Sequence, residues 1–423
     1  MIRMNGFLHR DRLATIIDHW IMARPELMQE VDDLKWIVNF NAFVSLGILN
    51  AVAQSVFPML YREPVRFVRA VSKGHIKDLL VQNPLRSTAR IEEMIEHYRR
   101  YPQDFYRETP VNGLVYFRNG NEGRLLGSAR VKRFRRIAEK SGRYLIDFIF
   151  QEIKAQAKAL AAERAIRQGI PVEQLNTSEE EQISEFIHAE RRILKAIRLG
   201  QIASPLPVLP INDILGLKAV VEKDDIDNAI DQIGKCANIS LQEQETLVGN
   251  YNATNLIVRF RWPREEMLKR SPSKEVQSVF RKRGCPRDTI KAYRNFIESA
   301  EDEVTIEISL ISYEEMLESE IGRSMHEERI LAQRQNQQYQ GSLARNIEYL
   351  LDYLFRFALS TTKELNEVPI QLWVRYMPDY IDHILRRLYN YSEEIDFFQA
   401  FIQDNESPKR IDEAACRNRG GKR

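Results

Sequence analysis

The sequence predicts an α+β protein: a mostly helical chain with a small mixed β-sheet in its middle, flanked by N- and C-terminal helices. Three observations lead there. Three β-branched runs, Leu215 to Val221, Asn255 to Trp262 and Val304 to Ser312, are separated by helical stretches, the pattern of a sheet interleaved with helices. Apolar residues recur at helical spacing over long stretches on both sides of those runs. The chain has 423 residues, and single cores stop growing near roughly 250 residues, so more than one domain is expected.

In chain order, residues 1–107 read as a helical domain. Helices are expected from Leu27 to Val31, through the uncharged stretch Trp36 to Leu60, from Pro64 to Leu80 and from Ile91 to Arg100. The uncharged stretch is long enough to cross a bilayer. Asn39, Asn41, Asn50 and Gln54 lie inside it, however, and unpaired amides are costly in hydrocarbon. A buried core helix is therefore expected there, and a membrane span is not.

The helical pattern breaks at Glu108 to Gly127, where a β-prone run (Leu114 to Phe117) precedes an Asn/Gly turn cluster. Residues 108–340 read as a central domain with helical insertions. Ser128 to Gln168 is expected to be a long helix, basic at its start and stopped by Gly169 and Pro171. NTSEEEQ then opens a second helix, with a Thr/Ser cap and acids in its first turn, running to about Leu199. ASPLPVLP reads as an extended linker. Helix resumes at Tyr313, and residues 341–403 form C-terminal helices with Leu343, Ile347, Leu350, Leu351, Leu354 and Phe355 as one apolar stripe. Residues 404–423 read as a basic, disordered tail.

Composition narrows the function. The formal charge of +2 shows no excess that would point to DNA. Cys236, Cys285 and Cys416 form no CxxC pair, which argues against a disulfide framework and a zinc ribbon. With no signal-peptide pattern at the start, a cytoplasmic protein is expected. No Walker loop, GxGxxG, HExxH or GxSxG occurs, and the seven histidines are scattered without an HD pair. Common dinucleotide, zinc-protease, serine-hydrolase and HD-hydrolase chemistries are thereby disfavoured.

What remains is a constellation in the strand region. Asp213 opens one strand, Glu307 sits inside another, and Tyr251 with Asn255 lies at the start of a third. Two carboxylates on adjacent strands can hold Mg²⁺ against a triphosphate, since a hard cation takes oxygen ligands and neutralises phosphate charge. Acids at strand mouths also serve as turn residues and caps, so the pair alone leaves both readings open.

The residues around these positions resemble a known family. DILGLKAVVEKDDIDNAIDQIG is similar to the segment of RelA/SpoT-type alarmone synthetases that begins D-(apolar)-x-G/A-(apolar)-R, continues as a strand and enters a helix through a charged turn. Asp213 falls on the family's magnesium-binding aspartate, and Lys218 falls where the family usually has arginine. IEISLISYEEMLESEIGRSMH resembles EVQIRTxxMHxxAExGxAAH, with Glu307, Glu320, Gly322 and His326 in register. NYNATNLIV resembles GYRSLHTTV, with Tyr251 on the guanine-stacking tyrosine. RVKRFRRIAEK keeps the spacing of RxKxxxSIxxK, whose basic residues hold the donor ATP phosphates: Arg130, Lys132, Ile137 and Lys140 match, and Arg136 replaces the serine.

There are departures. Asn255 stands for the histidine, Ser309 and Ile311 stand for the glutamine and arginine, and a helical insertion runs from about Arg264 to Ala300. A helical segment of about fifty residues also separates the basic motif from the aspartate strand, the length of a domain insertion. Arg192, Lys195 and Arg198, just before the linker, are thus rival phosphate anchors.

The resemblance implies Mg²⁺-dependent transfer of pyrophosphate from ATP to a 3′-hydroxyl of a guanine nucleotide or related acceptor. Asp213 and Glu307 would be the catalytic pair and the metal ligands. Tyr251, Lys218, Asn255, Lys195, Arg130, Lys132 and Lys140 would bind the nucleotides. The departures keep two alternatives: a catalytically degenerate nucleotide-binding or regulatory member, and a helical interaction scaffold. The helical flanks would offer surface to a protein partner or to a second copy in a homo-oligomer.

Overall fold

The computed structural model describes residues 1–22, 27–119, 123–199, 208–249, 251–323 and 339–388, with the isolated positions 325, 328 and 332. The chain is α+β. It begins with β1 (Ile2–Met4), α1 (Arg10–Ile21) and the long α2 (Leu27–Tyr61), followed by β2 (Val65–Ser72), α3 (Lys73–Gln82) and α4 (Ala89–Arg100). The hairpin β3 (Pro110–Arg118) and β4 (Leu125–Val131) leads into a helical excursion, α5 (Phe134–Gln168) and α6 (Glu179–Leu199). Then come β5 (Leu209–Ile211), β6 (Leu215–Val220), α7 (Ile226–Gly234), β7 (Ile239–Leu247) and β8 (Ala253–Arg261). Three helices follow, α8 (Arg264–Lys269), α9 (Lys274–Lys282) and α10 (Thr289–Glu298), before β9 (Glu303–Ile311), α11 (Tyr313–Ile321), α12 (Ser342–Leu359) and α13 (Pro378–Arg386).

Seven strands form one mixed sheet in the order β2-β3-β4-β6-β9-β8-β7. Among the described residues only β6 and β9 run parallel within it. The short β1 pairs in parallel with β5 outside this sheet.

Period-two alternation sorts side chains to the two faces. Leu217, Leu256, Val258, Val304, Ile306, Ile308 and Leu310 join the large core against α2, α5 and α12. The intervening residues face the other side, where α3, α4 and α11 cover only part of the sheet. There Val115, Phe117, Val220 and Ile311 pack with Tyr313 and Met316. Toward the start of β6 and β9 the same face turns polar, with Arg130, Lys218, Glu307 and Ser309. That change of character on one face places the candidate site.

The uncharged stretch forms most of α2. It is apolar and long enough to pass as a membrane span by composition, and its Val38, Phe40, Phe43, Leu49 and Val56 are buried in the core. Its amides tie neighbouring elements together. Asn39 Nδ2 donates to Lys35 O at 2.8 Å and to Ala358 O at 2.9 Å, and Asn41 exchanges hydrogen bonds with both backbone groups of Leu8.

Several expectations need correction. The helix expected from Pro64 to Leu80 is the strand β2 followed by α3, because Val65 to Ser72 pairs with Pro110 to Arg118. Short apolar runs satisfy either period, and the partner strand decides. The helix expected from Ser128 begins only at Phe134, since Ser128 to Val131 pairs with β6. The strand β7 was not expected: its exposed, polar sequence SLQEQET carries no apolar alternation. Residues 107 and 108 lie between β2 and β3, which are antiparallel neighbours in one sheet. Most of the ASPLPVLP linker and the whole of residues 404–423 fall outside the described residues.

Candidate functional site

Asp213 lies in the turn between β5 and β6, and two lysines from an earlier part of the chain close on it. Lys132 follows the end of β4, where its backbone N–H donates to Ile214 O at 2.8 Å. That bond sets its side chain beside Asp213, and its Nζ donates to Asp213 Oδ2. Lys140, on the second turn of α5, donates to the same oxygen at 2.7 Å. The other oxygen, Oδ1, is buried and has no hydrogen-bond partner.

Glu307 belongs to the same cluster. It is the register partner of Gly216 on β6, three residues after Asp213. Its carboxyl is pushed above its ordinary range by burial and by the Asp213 charge, against the pull of Lys132, Lys140 and Lys218. Asp213 moves the other way: burial pushes it up, but the two ammonium groups outweigh burial and hold it below its ordinary range. Burial lowers Lys132 despite Asp213, whereas for Lys140 burial is overcome by Asp213 and the net shift is upward. The result is two neighbouring carboxylates with pKa values displaced in opposite directions, an arrangement that separates a permanently ionised group from a proton acceptor.

A second ionic cluster lies beside the first. Glu320 on α11 is fully buried and accepts from Arg130 Nη2. Lys218 Nζ sits 3.9 Å from Glu320 Oε1 and donates to Ser319 Oγ at 3.0 Å. Burial alone would raise Glu320, but Arg130, Lys218 and the α3 lysines Lys73 and Lys77 bring it down to about 2. Lys218 also stands 5.8 Å over the ring of Tyr251. The Tyr251 loop is anchored to α11, where the Asn252 N–H donates to Glu315 Oε2 at 3.0 Å. Asn255 pairs with Ser309 across β8 and β9, and Ser309 Oγ donates to Asn255 Oδ1 at 2.8 Å.

The sheet thus brings together Asp213, Glu307, Arg130, Lys132, Lys140 and Lys218, with Tyr251 and Asn255 on the same face. Lys195 does not join them. It is exposed on α6, and among the described residues none of the cluster's hydrogen bonds or ion pairs involves it. His326 lies outside the described residues. Ile311 is buried among apolar neighbours.

One participant with no expected role is the N-terminal strand. Asn5 Nδ2 donates to Asn212 Oδ1 at 2.7 Å, its N–H donates to Ile211 O, and its carbonyl accepts from Thr305 N at 2.9 Å. It therefore joins the residue before Asp213 to the residue two before Glu307. Glu320 was named from the sequence only as a position in register within Ile306 to His326, with no role attached.

No protein-family model and no curated protein matches this chain. Functional inference therefore rests on the site itself.

Among the described residues no group of three or more His, Cys, Asp or Glu side chains could hold a metal, so an ion held by protein ligands alone has no ready-made cage. Two carboxylates, one with an unpartnered buried oxygen, do fit an Mg²⁺ that arrives with a polyphosphate and takes its other ligands from phosphate and water. Four cations, Arg130, Lys132, Lys140 and Lys218, face three carboxylates, Asp213, Glu307 and Glu320, which favours an anionic ligand.

Proposed function

We propose that this protein is a nucleotide pyrophosphokinase of RelA/SpoT type, moving pyrophosphate from ATP to a 3′-hydroxyl of a guanine nucleotide or related acceptor. The observation that carries the reading is the convergence of Lys132 and Lys140 on Asp213 beside Glu307. Three segments that resemble the family separately in sequence meet on one face of the sheet.

In this reading Lys132, Lys140 and Arg130 neutralise the donor phosphates, and Tyr251 with Lys218 receives the acceptor. Glu307, with its raised pKa, is the better base of the two carboxylates and takes the proton of the attacking hydroxyl. The 3′-oxygen forms a bond to the β-phosphorus, the bond from that phosphorus to the α-bridging oxygen breaks, and AMP leaves with the electron pair. Bound Mg²⁺ would supply charge neutralisation at the phosphates, held by Asp213 and, where it does not serve as the base, by Glu307. Catalysis of this kind is mainly positioning and electrostatics.

A second reading, a nucleotide-binding member without activity, is favoured by one observation: Ile311, in the place of the family's arginine, is 1% exposed in an apolar cluster and offers phosphate nothing. Both are tested by incubating the protein with β,γ-labelled ATP, Mg²⁺ and GDP, GTP or another 3′-hydroxyl acceptor. The first expects a labelled product that disappears in Asp213→Asn and Glu307→Gln. Nucleotide-dependent thermal stabilisation without product supports the second. Neither signal with any acceptor overturns both.

A further inference from the structure

The α5–α6 hairpin carries a surface that the nucleotide site does not use. The 21-residue α6 packs along α5, and Arg164 fixes the pair through Glu181 at 2.6 Å and Glu185 at 2.9 Å. Its inward residues are Glu185, Phe186, Ala189, Ile193 and Ile197. At about 3.6 residues per turn, Glu180, Ile183, Ile187, Arg191, Lys195 and Arg198 lie on the opposite side, and all six are exposed. Ile183 is 54% and Ile187 39% exposed, in the middle of this face.

Charge along the face is graded. Glu180 stands at its start with Glu179 beside it, and Arg191, Lys195 and Arg198 at its end with Arg192 beside them. Among the described residues no ion pair takes up any of these six. The acidic start fits the helix dipole, as does the basic end, and the gradient also makes the face complementary to itself when reversed.

We propose that α6 is the contact surface of a two-fold dimer, in which α6 of one copy lies antiparallel on α6 of a second. An axis beside Ile187 sets that residue against its own copy. Ile183 then meets the aliphatic stem of Arg191 of the second copy, and Glu179 and Glu180 meet the basic half-turns that carry Lys195 and Arg198. A two-fold contact of this kind uses one patch twice. Its apolar centre is small, so the dimer is a weak, salt-sensitive one.

The test needs no activity and uses the full chain in sedimentation velocity across a concentration series. Wild type is expected to dimerise at micromolar concentration and to dissociate as salt is raised. A variant acidic at both ends (Lys195→Glu with Arg198→Glu) and a variant basic at both ends (Glu179→Lys with Glu180→Lys) are each expected to self-associate at least about tenfold more weakly. Mixed in equal amounts they are expected to pair with each other, which also shows that both are folded. A wild type that stays monomeric, including one that instead binds RNA through the basic half of α6, overturns the proposal. So does a mixture that fails to associate.

Discussion

Lys140 Nζ lies 2.7 Å from Asp213 Oδ2 although 73 residues of chain separate the two. The α5–α6 hairpin makes this short distance compatible with the long excursion. α5 leaves the site at Phe134, α6 packs back along it, and the chain re-enters the sheet region at β5. The inserted length therefore adds helix without adding distance. Lys132→Met and Lys140→Met are each expected to lower the proposed transfer by about 100-fold, the usual cost of one lost donor to developing charge. Each also removes a hydrogen bond to a charged group, about 1.5 to 3 kcal/mol of stability. Single-turnover rates and urea unfolding measure the two effects separately. A full rate in both variants would show that neither ammonium faces phosphate.

The opposite shifts of Asp213 and Glu307 predict opposite pH behaviour. The Asp213 pKa is depressed in the folded state, so its contribution is present above the unfolded value and is lost as pH falls through the folded one. That of Glu307 is raised, so its contribution is complete below the unfolded value and is lost as pH rises through the folded one. Glu307→Gln is therefore expected to unfold at a higher temperature than wild type at pH 7 and to show no such gain near pH 4. Thermal scans across that range check it. An inactive variant that is more stable at neutral pH is what a buried, functionally retained carboxylate should give.

Glu320 predicts the reverse sign. Its carboxyl, fully buried and down to about 2, contributes stability above the unfolded value of about 4.3 that is lost as pH falls toward about 2. Glu320→Gln leaves Arg130 and Lys218 without their buried counter-charge, and removing one partner of a buried pair costs about 3 to 5 kcal/mol. Chemical denaturation at pH 7 is expected to show that loss. The gap between variant and wild type should narrow as pH falls from about 4, where the carboxylate of the unfolded chain begins to protonate while the folded one stays ionised.

How far the sequence disclosed this arrangement depended on the range of each interaction. The strands β6, β8 and β9 were legible because their β-branched residues alternate under a buried face. The α12 stripe was legible because its apolar residues repeat at helical spacing. β2 was not, since Val65 to Ser72 becomes a strand only through its pairing with β3. β7 was not either, because an exposed edge strand has no core face to betray it. Asp213, Glu307 and the Lys132–Lys140 pair were legible as residue types at fixed spacing, yet the choice between that pair and Lys195 needed the helical hairpin in three dimensions. Asn5 left no signal at all, because its partners Asn212 and Thr305 are about 200 or more residues away, one reached by a single amide bond and the other through the backbone.

Asn5 and Gly6 give the last prediction. A Cβ on Gly6 would come within 2.9 Å of Ile214 Cβ and 3.4 Å of Thr305 O, so glycine lets the N-terminal segment lie close against Ile214 and Thr305, near where β6 and β9 begin. Gly6→Ala has to push β1 outward or shift Ile214, the residue next to Asp213, and overpacking of this kind costs about 1 to 3 kcal/mol. Asn5→Ala keeps the backbone bonds to Ile211 and Thr305 and loses only the side-chain bond to Asn212. Its stability is expected to fall by about 1 kcal/mol, with kcat reduced more than KM is raised, because Asn5 touches the Asp213 turn and not the nucleotide. Asn5→Asp has no donor for Asn212 Oδ1 and regains a bond only if the Asn212 amide turns over and donates its Nδ2 to the new carboxylate. Partial rescue by Asp would indicate that the amide turns, and equal loss in both variants that it is fixed. A kcat unchanged in all three variants would mean that β1 supports the fold without setting the position of Asp213.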